Sequence, residues 1–389
     1  MGIHGYSKKI EGQIERLRRF RDGSVAIGFL NHIRARGLSE GRVFSYACRL
    51  PALLTALEAT HASLRSLSQV EAEKVMAHIN QGMTLGRTKR PYKPSTKASF
   101  AVAFKKLVQY AKTGRTDKGQ PVPDEVSWIK VNVKDDDSRV SPEKIISEEE
   151  FLKIVAQARH PRDRAMMYVL YEGAFRPGEL LSMRVASVEF QDKYCVISTK
   201  GKTGIKRMPL VASMRPLMDW LAVHPLRDDP EAPLWPSLAP NRNFQSLTYP
   251  YFKHIVKRIA ARAGYKKEFW PYLLRHSRLT FMADKLTESR LDEFAGWTLG
   301  SRMPRRYVHF SGRDLDANIL GIYGIKPKEE VRGSLLKPKD CPRCNAEIAP
   351  EAKRCPRCGL VVDQVLAAKH EQSRLKREED LIRRSKARS

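Results

Sequence analysis

The stretch EFAGWTLGSRMPRRYVH, residues 293–309, places a tyrosine, Tyr307, directly after two arginines and shortly after Trp297. A phenol is a poor nucleophile because its unperturbed pKa is about 10. A tyrosine that attacks a substrate therefore needs cationic neighbours, which stabilise both the phenolate and the anion that it attacks. The competing interpretation is a core aromatic residue on a basic helix. Which of the two holds depends on what the other segments of the chain bring to Tyr307.

The size and charge of the chain narrow the class of partner. With 389 residues, it is long enough for two or three domains with ordinary cores. A formal charge of +28 and a pI near 10.0 predict a polyanionic partner, with a merely basic or ribosome-associated protein as the alternative. A membrane surface fits less well, because no apolar run approaches the roughly 20 residues of a membrane span. The N-terminal residues also open no signal peptide.

The cysteines indicate the compartment. Four of the six form two Cys-x-x-Cys pairs near the C-terminus, while Cys48 and Cys195 stand alone in apolar surroundings. Such isolated cysteines are predicted to be buried thiols. The pattern is typical of a reducing compartment and not of a disulfide framework, so we expect a cytoplasmic protein.

Residues 1–114 are predicted to form a helical domain. Apolar residues recur at helical spacing between Phe100 and Ala111, and Ser68–Glu71 is a capping box that opens another helix. Between them lies a basic loop broken by prolines, residues 86–97, which is suited to phosphate contacts ahead of a helix start. A solvated loop is the alternative. The candidate phosphate-binding residues of this loop are Arg87, Lys89, Arg90, Lys93 and Lys97.

The chain then turns polar and irregular over residues 115–146, which we interpret as a linker. A second capping box, Ser147–Glu150, and an almost wholly apolar helix ending near Glu172 follow it. Arg176 comes directly after this helix in the sequence FRPGEL, where rigid elements fix its reach. Glu179 can hold the guanidinium from behind and leave its outer edge for an anion. A structural turn with an ion pair is the alternative.

Residues 185–212 alternate in the manner of strands and predict a β-hairpin with a Gly-rich tip that carries lysines. The tip lacks an upstream glycine at Walker spacing and a helix behind it, so we exclude nucleotide binding. A lysine on such a tip can instead contact a phosphate or act as an acid. Further on, Pro271 begins a helix in which Arg275 lies among apolar residues. A buried arginine is costly unless it is paired or binds an anion, which favours a functional role.

Four motifs thus stand in order: FRPGEL, the hairpin lysines, the sequence YLLRHS, and Gly-Trp followed by tyrosine. Together they resemble the tyrosine recombinase (phage integrase) superfamily, in particular its archaeal integrase-like members. The resemblance covers residues 147–326 as the catalytic domain, a mixed α+β fold with a small antiparallel sheet, and residues 1–114 resemble the core-binding domain. The chain is therefore expected to be multidomain and mainly α-helical. The catalytic residues that the resemblance implies are Arg176, Lys202, Tyr272, Arg275, Trp297 and Tyr307.

The resemblance also implies a reaction. Tyr307 is expected to attack a scissile DNA phosphate, with Arg176 and Arg275 on its non-bridging oxygens and Lys202, chosen over Lys200, protonating the departing 5′-oxygen. Trp297 stands where the family has His or Trp and is expected to pack against the phosphate or donate its N–H. No metal or nucleotide is needed, because the covalent link conserves the bond energy. The expected partners are double-stranded DNA and further copies of the chain, in a tetramer on paired sites, with no membrane.

One position departs from the family pattern. Three residues before Arg275 the family usually has a histidine, and this chain has Tyr272, which cannot titrate near neutrality as an imidazole does. Arg305 and Arg306 are interpreted as DNA-backbone contacts that position the helix of Tyr307.

The expected function, DNA integration, has two alternatives that keep the same chemistry: replicon-dimer resolution, or topoisomerase-like nicking and sealing. An alternative from another class is a DNA-binding protein with a decayed active site.

The C-terminal segment carries a second kind of site. Cys341, Cys344, Cys355 and Cys358 have the spacing of a small zinc ribbon, expected over residues 337–362. Four thiolates close the coordination shell, so the zinc is expected to be structural and to supply the folding free energy of a segment with little core. A redox role is the alternative. Residues 363–389 are predicted to form a basic helical tail that either contacts DNA or is solvated.

Overall fold

The computed structural model describes residues 5–82, 90–117, 119–131, 142–201, 204–308, 319–320, 322–325, 334–363, 366–367, 371–374 and 376–377. The chain forms two compact units, Met1–Arg139 and Val140–Ser389. No helix in the described ranges combines the length and the apolar character needed to cross a membrane.

The first unit is helical. It consists of α1 (Tyr6–Leu17), α2 (Gly23–Ala35), α3 (Glu40–Ala47), α4 (Leu50–Glu58), α5 (Gln69–Gln81), α6 (Pro94–Thr113) and α7 (Asp124–Ser127). The capping box predicted at Ser68 and Glu71 is present at the start of α5. The apolar face predicted on α6 is buried through Phe104 and Leu107, against Phe29 of α2 and its neighbours.

Residues 115–117 and 119–131, which the sequence predicts to be linker, pack on this unit instead. Val126 of α7 is fully buried, and Lys112 pairs with Glu125. The side-chain amide of Gln109 donates to the carbonyl oxygens of Gln120 (3.3 Å) and Pro121 (3.1 Å). The polar composition that suggests a linker here serves to satisfy buried hydrogen-bonding groups.

Cys48 differs from the prediction. It is the C-cap residue of α3 and is exposed, whereas Cys195 is buried as expected. The apolar neighbours of Cys48 belong to helices that begin and end beside it, so their burial does not extend to the residue at the turn.

The second unit combines helices with a small sheet. Its helices are α8 (Glu148–Val155), α9 (Pro161–Glu172), α10 (Pro177–Leu181), α11 (Met214–Ala222), α12 (Tyr249–Arg262), α13 (Pro271–Ala283), α14 (Glu288–Ala295) and α15 (Arg305–Val308). Strands β1 (Val188–Phe190), β2 (Cys195–Gly201) and β3 (Gly204–Leu210) form an antiparallel sheet in the order β1-β2-β3, with Gly201 opposite Gly204. The predicted mainly helical fold with a small antiparallel sheet is confirmed.

Helix α9 lies at the centre of this unit. Its aromatic residues Tyr168 and Tyr171 pack on Phe151 of α8, the latter with ring centroids 4.1 Å apart. At its C-terminal end Glu172 accepts the backbone N–H groups of Val211 (2.8 Å), Ala212 (3.0 Å) and Ser213 (2.7 Å). This carboxylate fixes the end of β3 at the end of α9, which brings the hairpin beside Arg176.

The C-terminal cysteine segment docks on the same helix. It contains the short antiparallel strands β4 (Lys339–Asp340) and β5 (Glu347–Ile348). Glu351 accepts from Arg164 Nε (2.9 Å) and from the hydroxyl of Tyr168, both on α9.

Candidate active site

Arg176 is held by the start of α10. It is the N-cap residue of this helix, and Pro177 presets the first turn. Buried Glu179 accepts both the backbone N–H of Arg176 (2.8 Å) and Nη1 of its guanidinium (2.5 Å), while Nη2 donates to the Gly296 carbonyl (3.2 Å). The inner edge of the guanidinium is therefore fixed as predicted, and its remaining N–H groups are available to an anion.

Arg275 is the most buried cation of this region, with 4% of its surface exposed. Its Nη1 donates to the carbonyl of Ala174 and its Nη2 to that of Ala295 (2.8 Å). Burial first, and then the charge of Arg176, lower the pKa of Arg275 to about 10, so it stays charged at neutral pH. No carboxylate in the described ranges lies within ion-pair distance of Arg275, although Glu179 attracts it from further away, so a bound anion would directly offset its buried charge.

The two carbonyl oxygens come from turns that end helices. Ala174, after α9, has a φ of 44°, which is strained for a residue with a Cβ. Gly296 ends α14 at a φ of 64°, where a glycine adopts the left-handed conformation without that strain. The guanidinium of Arg275 joins the two turns through the carbonyls of Ala174 and Ala295, and the guanidinium of Arg176 binds the adjacent carbonyl of Gly296.

Lys206 is a third cation here, and the sequence patterns did not single it out. Its Nζ donates to the Gly173 carbonyl (2.7 Å) and lies 4.4 Å from the centre of the Phe175 ring. Burial first, and then the charge of Arg275, hold the pKa of Lys206 well below its usual range. The signal was the period-two pattern of β3: Lys206 shares the inner face with Met208 and Leu210, while Ile205 is 81% exposed.

Replacing Lys206 with methionine should raise the free energy of unfolding at pH 7 by about 1–4 kcal/mol, since an apolar chain of similar volume takes the place of an amine whose protonated form is disfavoured by burial. Because the folded-state pKa lies below the unfolded one, wild type binds fewer protons when folded, and its stability rises as the pH approaches the unfolded value. The advantage of the variant should therefore shrink between pH 7 and pH 10. Urea unfolding of both proteins at the two pH values measures this. A gain that is independent of pH would contradict the assignment to the Lys206 charge.

Tyr307 lies inside this group of cations, on α15, and is 6% exposed. Its ring makes stacked contacts with those of His276 (centroids 6.0 Å, 24°) and Trp297 (centroids 5.7 Å, 25°). Its hydroxyl is 2.8 Å from Nδ1 of His276. Burial raises the pKa of the Tyr307 phenol, while Arg275, Arg306 and Arg176 act in the opposite direction. The cations that a nucleophilic tyrosine needs are thus present around it.

Trp297 lies beside both Arg275 and Tyr307. Its backbone N–H donates to the Asp292 carbonyl (2.8 Å), and its half-buried ring lies 5.8 Å from Cζ of Arg275. Tyr272 is on the same helix as Arg275 but at the rim, 39% exposed, with its ring 6.3 Å from that of His276. The structure therefore brings together Arg176, Arg275, Trp297 and Tyr307, with Tyr272 at the edge.

Lys202 lies outside the described residues. The described residue before it, Gly201, ends β2 against Glu179: a Cβ at this position would be 2.9 Å from Oε1 of that carboxylate. The start of the tip therefore adjoins the partner of Arg176. Lys200 points to solvent.

The proposed DNA contacts are placed as follows. Arg87 and Lys89 lie outside the described residues, whereas Arg90 and Lys93 are exposed ahead of α6 and Lys97 is half-buried in its first turn. Arg305 is exposed and Arg306 half-buried on α15, next to Tyr307. Tyr323, the other tyrosine in this part of the chain, is 76% exposed.

The four C-terminal cysteines meet at one point. All their Sγ atoms lie within 4.8 Å of one another, with Cys341 3.5 Å from Cys358 and Cys344 3.6 Å from Cys355. Zn–S bonds of about 2.3 Å in a tetrahedron place sulfurs about 3.8 Å apart, so this donor set fits zinc. Each pair is followed by a residue with positive φ, Asn345 (51°) and Gly359 (72°), whose N–H returns to the carbonyl of the first cysteine. Such a turn aims both thiols of a pair inwards.

Comparisons with known proteins bear on the second unit. Residues 144–313 match the phage integrase family. A tyrosine recombinase of Synechococcus elongatus is 35% identical over 130 residues, which cover 33% of this chain and 40% of that protein. A tyrosine recombinase of Synechocystis sp. is 28% identical over 189 residues, 48% of this chain and 59% of that protein. The chain thus spans less than two thirds of the length of either relative.

Solved structures show the same fold. The XerH site-specific recombinase in a post-cleavage complex with palindromic difH substrate has a TM-score of 0.56 at 18% identity, covering 82% of this chain and 95% of that one. A lambda integrase tetramer bound to a Holliday junction has a TM-score of 0.53 at 15% identity, covering 73% and 76%. At these identities the likeness concerns the fold alone.

Proposed function

We propose that this protein is a site-specific DNA recombinase of the tyrosine recombinase type, which cuts and rejoins strands through a 3′-phosphotyrosyl intermediate. The match of residues 144–313 to the phage integrase family supports the proposal. The observation that carries the proposal is the position of the Tyr307 hydroxyl inside the cluster of Arg275, Arg176 and Trp297. A core aromatic residue would not need a hydroxyl or these cations around it.

In the proposed reaction, the oxygen of Tyr307 attacks the scissile phosphorus and loses its proton. The bond from phosphorus to the 5′-oxygen breaks, and Lys202 donates a proton to that oxygen. Arg176 and Arg275 bind the non-bridging oxygens, on which charge builds in the transition state. Religation runs the same steps in reverse with a 5′-hydroxyl from another strand, so no bond energy is lost and no cofactor is consumed.

The proposed partners are double-stranded DNA and further copies of the chain. The charge of +28 supports DNA, through neutralisation of backbone phosphates by the basic residues ahead of α6 and on α15. Strand exchange between two duplex sites cuts four strands, and each cut needs one Tyr307 side chain, which supports a tetramer. We place the protein on DNA in the cytoplasm and favour integration over resolution of replicon dimers. The relatives described above are bacterial, and the closer likeness to archaeal members stays a prediction.

Covalent capture tests the proposal. Wild-type protein is mixed with a pool of duplexes of randomised sequence, SDS-resistant adducts are isolated, and their DNA is sequenced and their peptides mapped. We expect DNA on the peptide of Tyr307 and a recurring target sequence. Failure to form any adduct would overturn the enzymatic proposal and leave the alternative of a DNA-binding protein with a decayed active site. Adducts on Tyr323 would move the nucleophile.

We also propose that Cys341, Cys344, Cys355 and Cys358 hold a structural zinc ion. The four closely spaced sulfurs support it, and the segment buries little apolar surface beyond Ile348 and the cysteines themselves. Zinc binding, on the order of 10 kcal/mol, would supply the folding free energy of this ribbon.

Removing the metal should unfold the ribbon while the helices of the second unit persist. We expect one zinc per chain by elemental analysis, and new protease cleavage within residues 334–363 after strong chelation, since Glu351 then loses its fixed position against α9. Cys341→Ser should lower the zinc content, and Cys195→Ser, a buried thiol outside the cluster, should leave it unchanged. A ribbon that stays protected without metal would count against the proposal.

A further inference from the structure

The proposed cleavage requires an acceptor for the proton of Tyr307, and the residue at the rim of the site does not provide one. Tyr272 is 39% exposed, and no hydrogen bond joins it to Tyr307 in the described part of the chain. Its phenol is also a poor proton acceptor near neutral pH. The acceptor must therefore come from another side chain.

His276 is the side chain that contacts the reacting oxygen. Its Nδ1 lies 2.8 Å from the Tyr307 hydroxyl, within the range of a direct proton transfer. When Nδ1 accepts this bond, the ring proton resides on Nε2. Helix α13 carries His276 directly after Arg275, so the same rigid element positions the proton acceptor and the phosphate-binding guanidinium.

The surroundings of His276 keep its ring neutral. It faces Arg275 and Tyr272 on its own helix and Arg306 and Tyr307 on α15, and Trp297 also contacts the Tyr307 ring; no carboxylate of the described residues forms an ion pair with His276. Burial first, and then the charges of Arg275 and Arg306, lower the pKa of His276 to about 4. At neutral pH the imidazole is thus in the form that can take up a proton.

Resting on the proposed recombinase function, we propose that His276 is a catalytic residue: its Nδ1 accepts the Tyr307 proton as the phenolate oxygen forms its bond to phosphorus. The incoming phosphate offsets the charges of Arg275 and Arg306, which makes the imidazole more basic when DNA is bound. In the religation step His276 returns this proton to the departing phenolate. The proton count is balanced, since Lys202 supplies the one that the 5′-oxygen takes up.

His276→Asn separates proton transfer from positioning. Asparagine places a hydrogen-bonding group near the position of Nδ1 but cannot be protonated. Using a nicked suicide duplex made from the captured target sequence, we expect the rate of adduct formation to fall about 100-fold or more, the usual contribution of a general base. DNA affinity should be unchanged. His254→Asn is the matched control, since this histidine is exposed on α12 away from the site.

Two altered reactants identify the step that is lost. A 5′-phosphorothiolate at the scissile bond is a better leaving group, so it compensates for a missing acid but not for a missing base. This substrate should restore the rate of adduct formation by Lys202→Ala, whereas His276→Asn should remain slow. Fluorotyrosine at position 307 has a more acidic phenol, which depends less on an acceptor, and should narrow the gap between His276→Asn and wild type.

The outcomes are distinguishable. Absence of any adduct with wild-type protein would refute the proposed function itself. An active wild type with His276→Asn reacting at a similar rate would overturn only the assignment of His276, which would then merely pack against Tyr307. Rescue of His276→Asn by the phosphorothiolate would also overturn it, since the residue would then act on the leaving group.

Discussion

Replacing Tyr307 with phenylalanine should abolish the SDS-resistant adduct, with a loss on the order of 10⁴-fold or more, because no other nucleophile is positioned among the cations in the described part of the chain. The fold should persist. The ring keeps its packing on His276 and Trp297, and the deleted hydroxyl leaves one buried acceptor, Nδ1 of His276, at a cost of about 1–3 kcal/mol. Adduct formation on the suicide duplex, together with urea unfolding, measures both effects.

The matched control is Tyr323→Phe, since Tyr323 is 76% exposed and its hydroxyl is not held in the cluster. This variant should react like wild type. DNA binding by Tyr307→Phe should also match wild type, because α15 retains Arg305 and Arg306. An adduct that survives in Tyr307→Phe and disappears in Tyr323→Phe would assign the nucleophile to the other tyrosine.

The site residues that could be predicted from the sequence are charged side chains at positions that are expected to be buried or rigidly held. Arg275 is a charge inside an apolar helix, and Arg176 follows a buried helix at a proline, so the sequence alone gives a reason for each to be functional. The hairpin was predicted because strand alternation and glycines are local signals. These inferences needed only the residues within one turn or one strand.

Lys206 and His276 show what local reasoning missed. Both lie within segments that match the family motifs, but the motifs assign their roles to Arg275 and Lys202, so no role was predicted for either residue. The alternation along β3 predicts that Lys206 lies on the buried face of the strand, opposite to exposed Ile205. Assigning each residue of β3 to one face or the other would therefore have identified Lys206 as a buried cation. For His276 nothing local indicates the contact with Tyr307, because it depends on where α15 lies against α13.

Contacts between residues that are distant along the chain could not be predicted from local sequence patterns. The carboxylate of Glu351 reaches Arg164 and Tyr168, residues that are distant along the chain, and no spacing rule connects them. Likewise, the strained φ of Ala174 has no sequence signal, since glycine or asparagine is the residue expected there. Both features are imposed by packing around α9, which decides the conformation of residues that have no local preference for it.

Arg275→Lys should lower the rate of adduct formation about 10²–10³-fold, the usual effect of removing one preorganised donor from a developing anion. Lysine keeps the charge but presents a single ammonium, which cannot join the carbonyls of Ala174 and Ala295 and also bind phosphate. The variant should also lose about 1–3 kcal/mol of stability, since one of these buried oxygens loses its donor. Adduct rates normalised to the folded fraction separate the two effects.

Arg278→Lys is the matched control for this substitution. Arg278 is buried on the same helix, less than one turn further on, and donates to Glu148 (2.8 Å), whose carboxylate also accepts from Ser334 (2.8 Å). Its replacement should cost comparable stability without a comparable loss of rate per folded molecule. Equal losses of rate in both variants would mean that α13 tolerates no lysine at all, and would contradict a specific role for Arg275. A loss confined to Arg275→Lys would place the effect at the two carbonyl-bound N–H groups and the phosphate that they orient towards Tyr307.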